Sequence, residues 1–112
     1  MTPAQFRRAA LALPGAVEGE HHDHPDFRVH GRVFATLHPD GVRAMVKVPP
    51  VRQRELVAAQ PDVFVPANGA WGRAGCTMVV LAKMKVAPLR EALTEAWQFA
   101  AAATARRRQG TR

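Results

Sequence analysis

Seven residues, Val42 to Val48, alternate between apolar and polar or bulky side chains with Pro39-Asp40-Gly41 before them and Pro49-Pro50 after. Val42, Ala44, Val46 and Val48 take one parity, and Arg43, Met45 and Lys47 the other. A helix would scatter these residues around its circumference, whereas a strand sends them to opposite faces. One face then needs a covering layer and the other stays wet, which is the signature of an antiparallel sheet. Pro39 presets one turn angle and Gly41 takes the positive one, so this strand returns from a partner at 32–38. His30-Gly31 supplies a tight turn back to Phe27-Arg28-Val29, which makes a meander. Val17 to His22 adds a short, charged strand suited to an edge.

Helices flank this meander. Thr2 and Pro3 open the first, with Phe6, Ala9, Ala10 and Leu13 along one side and Pro14-Gly15 as its stop. Pro49-Pro50 starts a second through Val51 to Gln60, ended by Pro61. Phe64 to Gly69 reads as a turn-rich connection to Trp71, and Gly72 and Gly75 delay the next strand until Cys76, from where it runs centrally through Leu81. The last helix is expected from about Ala87 to Arg107, with Leu89, Leu93, Ala96, Ala100 and Ala103 as its inner stripe. The expected fold is a single α+β domain, an antiparallel sheet packed by the N- and C-terminal helices, in the order α-β-β-β(β)-α-β-α. It occupies residues 1–105 and leaves a basic tail at 106–112. A chain of 112 residues holds one such domain and shows no repeat or dividing linker.

Several chemistries are argued against. Cys76 is the single cysteine, which excludes an internal disulfide and any multi-cysteine zinc site. As a nucleophile it has no base nearby in sequence, and its apolar strand favours burial. Gly69 to Gly75 lacks the Lys-Ser/Thr that ends a phosphate loop. No enzyme and no cofactor are therefore expected. The apolar run Ala9 to Leu13 falls far short of the roughly 20 residues of a membrane span, so a cytoplasmic protein without membrane contact is expected; a monomer is compatible with the sequence, which leaves the oligomeric state open. In the run His21-His22-Asp23-His24, His22 and His24 would share a strand face with Glu20 and are the two metal-ligand candidates. No second ligand cluster joins them, and no metal is expected.

Charge points to a partner. The chain carries sixteen basic and nine acidic residues, a net of +7. Residues 1–27 sum to −2 and residues 28–112 to +9. Such asymmetry suits a polyanion, nucleic acid first among them. The candidate contacts are Arg28, Arg32, Arg43, Lys47, Arg52, Arg54 and Arg73, with Lys83 and Lys85 beyond the last strand. Thirteen arginines to three lysines is also what a GC-biased coding sequence produces. Charge therefore argues for a polyanion only where the cations share one surface. Trp71, in a polar and glycine-rich context, is the aromatic expected to be exposed, while Trp97 faces the core. No helix carries the Arg/Asn/Gln cluster of a recognition helix, so phosphate contacts without sequence readout are expected.

An ordered set of motifs carries a family resemblance. Leu11-Ala12-Leu13-Pro14-Gly15-Ala16-Val17-Glu18 leads into His21-His22-Asp23-His24-Pro25-Asp26-Phe27-Arg28-Val29 and then Gly31-Arg32-Val33-Phe34-Ala35-Thr36-Leu37. With Lys47-Val48-Pro49, Phe64-Val65-Pro66-Ala67, Trp71 and the alanine-rich helix around Trp97, this resembles the MmcQ/YjbR family from Phe6 to about Ala103. The resemblance implies a frataxin-like (CyaY-like, double-wing) α+β fold and a DNA-binding role. It departs from the family pattern at Asp23, where a small residue or glycine is expected, and at Gly72-Arg73-Ala74-Gly75. A role in protein interaction or metal binding, through the acidic, histidine-rich segment 18–26 on the same scaffold, is the alternative.

Overall fold

The computed structural model describes residues 1–110, with side chains through residue 103. Helix α1 (Pro3–Leu11) begins as the sequence asks: the Thr2 hydroxyl accepts from the Gln5 N–H at 3.1 Å, and the Gln5 side-chain oxygen accepts from the Thr2 N–H at 2.9 Å. This reciprocal cap satisfies two donors that a helix start leaves unpaired. Strands β1 (Val17–His21), β2 (His24–Val29), β3 (Arg32–Leu37) and β4 (Arg43–Lys47) follow as an antiparallel meander. Its first two turns are two-residue hairpins with positive φ at both positions, 50° and 63° at His22 and Asp23, 52° and 77° at His30 and Gly31. That geometry matches the right-handed twist of the flanking strands. It also corrects the expected strand to His22: β1 ends at His21, and His22 belongs to the turn.

Helix α2 (Pro50–Ala59) crosses to β5 (Phe64–Pro66), short helix α3 (Gly69–Arg73) and β6 (Cys76–Val80). A 3-10 turn at Leu81–Lys83 leads into α4 (Val86–Gly110). The stretch expected as an irregular connection thus holds a strand and a helix. β5 is three residues long, too short for alternation to reveal, and it exists because Phe64, Val65 and Pro66 pair with Val79, Met78 and Thr77. Gly75 explains the glycine-rich approach to β6. It has φ +109°, Val48 donates to its carbonyl at 3.1 Å, and a Cβ there would run into the Val48 carbonyl oxygen. Gly72 presses in the same way on the carbonyl of Ala67. The expected basic tail, 106–112, lies outside the described side chains.

The six strands form one antiparallel sheet in the order β1-β2-β3-β4-β6-β5, which places β6 inside the sheet and β1 and β5 at its edges. One face carries Phe27, Val29, Ala35, Leu37, Ala44, Val46, Val79 and Phe64 into the core. There they meet Phe6 and Ala10 of α1, Leu56 of α2 and Leu89, Leu93, Ala96 and Ala100 of α4. A bulge inserts one extra β3 residue opposite β2, and Phe34 enters the same core beside Ala35. All the long helices therefore lie on one side, and among the described residues no long helix covers the other face of the sheet. Among the described residues, no helix is long and apolar enough to cross a membrane.

Candidate nucleic-acid interface

The pairing register writes the uncovered face as three rows across the strands. The first runs His21, His24, His38 and Arg43 to Val80. The second runs Gly19, Asp26, Thr36, Met45 and Met78 to Val65. The third holds Val17, Arg28, Val33, Lys47 and Cys76. The charged and histidine side chains of the outer rows stand at the two ends; the middle row is polar at Asp26 and Thr36 and continues as a half-buried to exposed apolar strip, Met45, Met78 and Val65.

Asp26 is the hub of this face. Its carboxylate is fully buried on a face that no helix covers, because neighbouring side chains close over it. Arg28 grips it with two bonds, Nε to Oδ1 at 2.8 Å and a terminal guanidinium nitrogen to Oδ2 at 2.9 Å. The His21 Nδ1 lies 2.6 Å from Oδ2. The Arg28 hydrogen bonds hold the carboxyl below the usual carboxylate range; burial opposes this, and the His21 bond adds to it. Gly19 makes the cluster possible: a Cβ there would stand 2.9 Å from Asp26 Oδ1 and 3.4 Å from Arg28 Nε. In the sequence Asp26 is one of several acids in the segment 18–26. Its signal was the parity it shares with Arg28, two residues on.

The seven candidate cations separate into paired and free. Arg28 is committed to Asp26. Arg43 sits at the far end of β4, about 13 Å along the strand from Lys47, and is tied to Asp40 at 2.9 Å. Asp40, which also accepts from the Val42 and Arg43 backbone N–H groups, is pulled down to about 2, the Val42 bond contributing most and the Arg43 side chain next. Arg52 points into the helical layer, bonded to Glu95 at 2.6 Å with Glu91 at 3.7 Å. Arg54 is exposed on α2, away from the sheet face. Arg32 pairs with Val29 and so takes the inner parity, at the end of the sheet beneath α4.

Arg32, Lys47 and Val33 line one cleft of about 70 Å³ with Phe99, Ala100 and Ala103 of α4. Arg28 stands two strands from Lys47, about 10 Å away on the same face. Arg73 precedes Cys76, the partner of Lys47, by three residues and is confined to within about 11 Å of it. The structure therefore brings Arg28, Arg32, Lys47 and Arg73 to one end of the sheet. Arg32, Lys47 and Arg73 have no ion-pair partner among the described residues, whereas Arg43, Arg52 and Arg54 lie elsewhere.

The remaining candidates fall into place by the same geometry. His22 is removed from the strand by its turn, so His24 shares its face with His21, its register partner, and with His38, whose ring centroid lies 4.9 Å away. Glu20 pairs with Pro25 on the opposite parity. Among the described residues, no three His, Cys, Asp or Glu side chains stand so as to hold an ion. Cys76 is buried, and burial pushes its thiol up, the reverse of nucleophile activation. Trp97 packs against the core with its indole N–H donating to the Pro14 carbonyl at 2.8 Å. Trp71 is 73% exposed on α3.

Comparison with known proteins covers most of the chain. A family model described as YjbR matches residues 11–99. The fold is similar to the crystal structure of Deinococcus radiodurans protein DR2400, described as having a DUF419 domain. The TM-score is 0.68 with 26% identity, over 82% of this chain and 72% of that one. No curated protein matches.

Proposed function

The chain belongs to the YjbR family, and from that premise we propose that it binds nucleic acid, DNA first, through phosphate contacts and without catalysing a reaction. The observation that carries this reading is the convergence of Arg32 and Lys47 on one cleft at the sheet end where Arg73 and Arg28 also stand. Arg28 contributes little net charge there because Asp26 offsets it. Among the described residues, the cations at this end without an ion-pair partner are Arg32, Lys47 and Arg73, and the sequence adds Arg106, Arg107 and Arg108 within five residues of Ala103, which lines the same cleft. Phosphate affinity of this kind comes from counterion release, so it falls steeply with salt and reads no base sequence.

The experiment is fluorescence anisotropy of a labelled duplex across a salt series. Three phosphate contacts give a log–log slope of about −2.7, steeper if the terminal arginines take part. A flat response, or no binding at low salt, overturns the reading. Burial pushes the Cys76 thiol up, the reverse of what a nucleophile needs, which supports a binding role over cysteine catalysis. The segment 18–26, the alternative contact region, is a hairpin whose one buried carboxylate is already occupied by Arg28 and His21.

A further inference from the structure

On the opposite side of the molecule from the sheet face, α1 and the first half of α4 leave a groove of about 520 Å³ between them. That volume falls within the range of small-molecule sites, roughly 300–1,000 Å³. Two helical stripes build it. Along α1 and its C-cap, Arg8 and Ala12 are four residues apart and Ala9 lies between them; on α4, Val86, Arg90 and Thr94 recur every fourth residue. The alanines hollow the α1 wall, so the floor is apolar where two larger side chains would otherwise meet. An arginine stands on each wall, both exposed, and neither has an ion-pair partner among the described residues. Among the described residues, no aspartate or glutamate lines the groove.

We infer that this groove binds an amphipathic monoanion, a carboxylate carried on a medium-length apolar chain. Arg8 and Arg90 bracket the head group from opposite helices, and the chain lies on Ala9, Ala12 and Val86. The charge pattern selects this occupant: an uncharged apolar ligand would leave both guanidinium groups unused, and a bare inorganic anion would leave the apolar floor wet. Guanidinium–carboxylate bonds supply orientation as well as attraction. The site is separate from the basic sheet end and shares no residue with it.

Decanoate is the probe, with Trp97 as reporter. Trp97 lies one helical turn beyond Thr94, and its indole holds Pro14, next to the groove residue Leu13. The exposed Trp71 is silenced by Trp71→Phe. Saturable change in Trp97 emission with decanoate is expected, and weakening of about tenfold in each of Arg8→Gln and Arg90→Gln, as fits loss of a charge-assisted bond. Ala12→Phe should abolish binding by filling the hollow while helical circular dichroism stays unchanged. Lys47→Gln should leave decanoate binding intact, which keeps this outcome distinct from that of the nucleic-acid test. Equal binding of decanol, binding of inorganic phosphate alone, a response only to anionic phosphatidylglycerol vesicles, or no effect of either arginine variant would each overturn the inference.

Discussion

The two ends of the uncovered sheet face are built from the same materials and reach opposite results. At one end Arg43 answers Asp40, and His21, His24 and His38 line up beside it. At the other, Arg32 comes round from the inner parity to share a cleft with Lys47, and neither has an ion-pair partner among the described residues. Arg43 and Lys47 belong to the same strand and the same parity, four residues apart. Only their neighbours differ: the Pro39-Asp40-Gly41 turn delivers an acid to Arg43, and the chain leaving Lys47 enters Pro49-Pro50 and brings none. A cation's facing is decided by its own strand, but its availability is decided by whichever turn ends beside it.

The hub between these ends is where the comparison breaks most severely. Asp26→Asn keeps the shape and removes the charge that Arg28 grips, and breaking a buried pair is among the costlier single changes. Asp26 is buried but its two partners, Arg28 and His21, are partly exposed, so a loss of about 2 kcal/mol is expected, a fall in Tm of roughly 8 °C, read by thermal and urea unfolding. The pH dependence has a definite sign. Asp26 is held below its ordinary value of 3.8 in the folded chain, so its contribution is present above that pH and disappears as pH falls through the lowered folded value. Asp40, at about 2, behaves alike between pH 4 and 2. The urea midpoint of the wild type should therefore drop on acidification below pH 4, and that of Asp26→Asn should drop less. Parallel pH curves would mean that the carboxylate is not the hub described.

Next in size is the contrast between free and paired cations. Lys47→Gln and Arg32→Gln should each reduce the salt slope of duplex binding by about 0.9 and weaken binding several-fold at low salt. Arg43→Gln and Arg52→Gln should leave the slope unchanged, since Asp40 and Glu95 already hold those charges. If Arg43→Gln lowers the slope as much as Lys47→Gln, the two ends are equivalent and the interface spans the whole face.

Much of this was legible from the chain alone. Alternation in Val42 to Val48 gave β4 its inner and outer sides, and Thr2, Pro14-Gly15, His30-Gly31 and Pro49-Pro50 punctuated the elements correctly. Two things were hidden for physical reasons. β5 depends on pairing with β6 and has too few residues to show a period, so it is a tertiary effect. The commitment of Arg28, Arg43 and Arg52 to carboxylates depends on partners two, three and 43 residues away. Of these, the two short spacings could have been noticed, whereas Arg52–Glu95 requires the tertiary fold to bring α2 and α4 within side-chain reach.

The smallest expected effect compares the two hairpin turns at either end of β2. Both place positive φ at two consecutive residues, but one is filled by His30-Gly31 and the other by His22-Asp23. Glycine accepts that conformation without a Cβ penalty, and aspartate tolerates it at some cost. Against this, glycine loses more freedom on folding, so the gains nearly cancel. Asp23→Gly should stabilise the chain by about 0.5 kcal/mol, a rise in Tm of roughly 2 °C, while His30→Gly at the other turn should do no better. Because Asp23 lies at the neutralised end, the same substitution should leave duplex affinity and its salt slope untouched. A change in either would show that the histidine end takes part in binding and that the two ends act together.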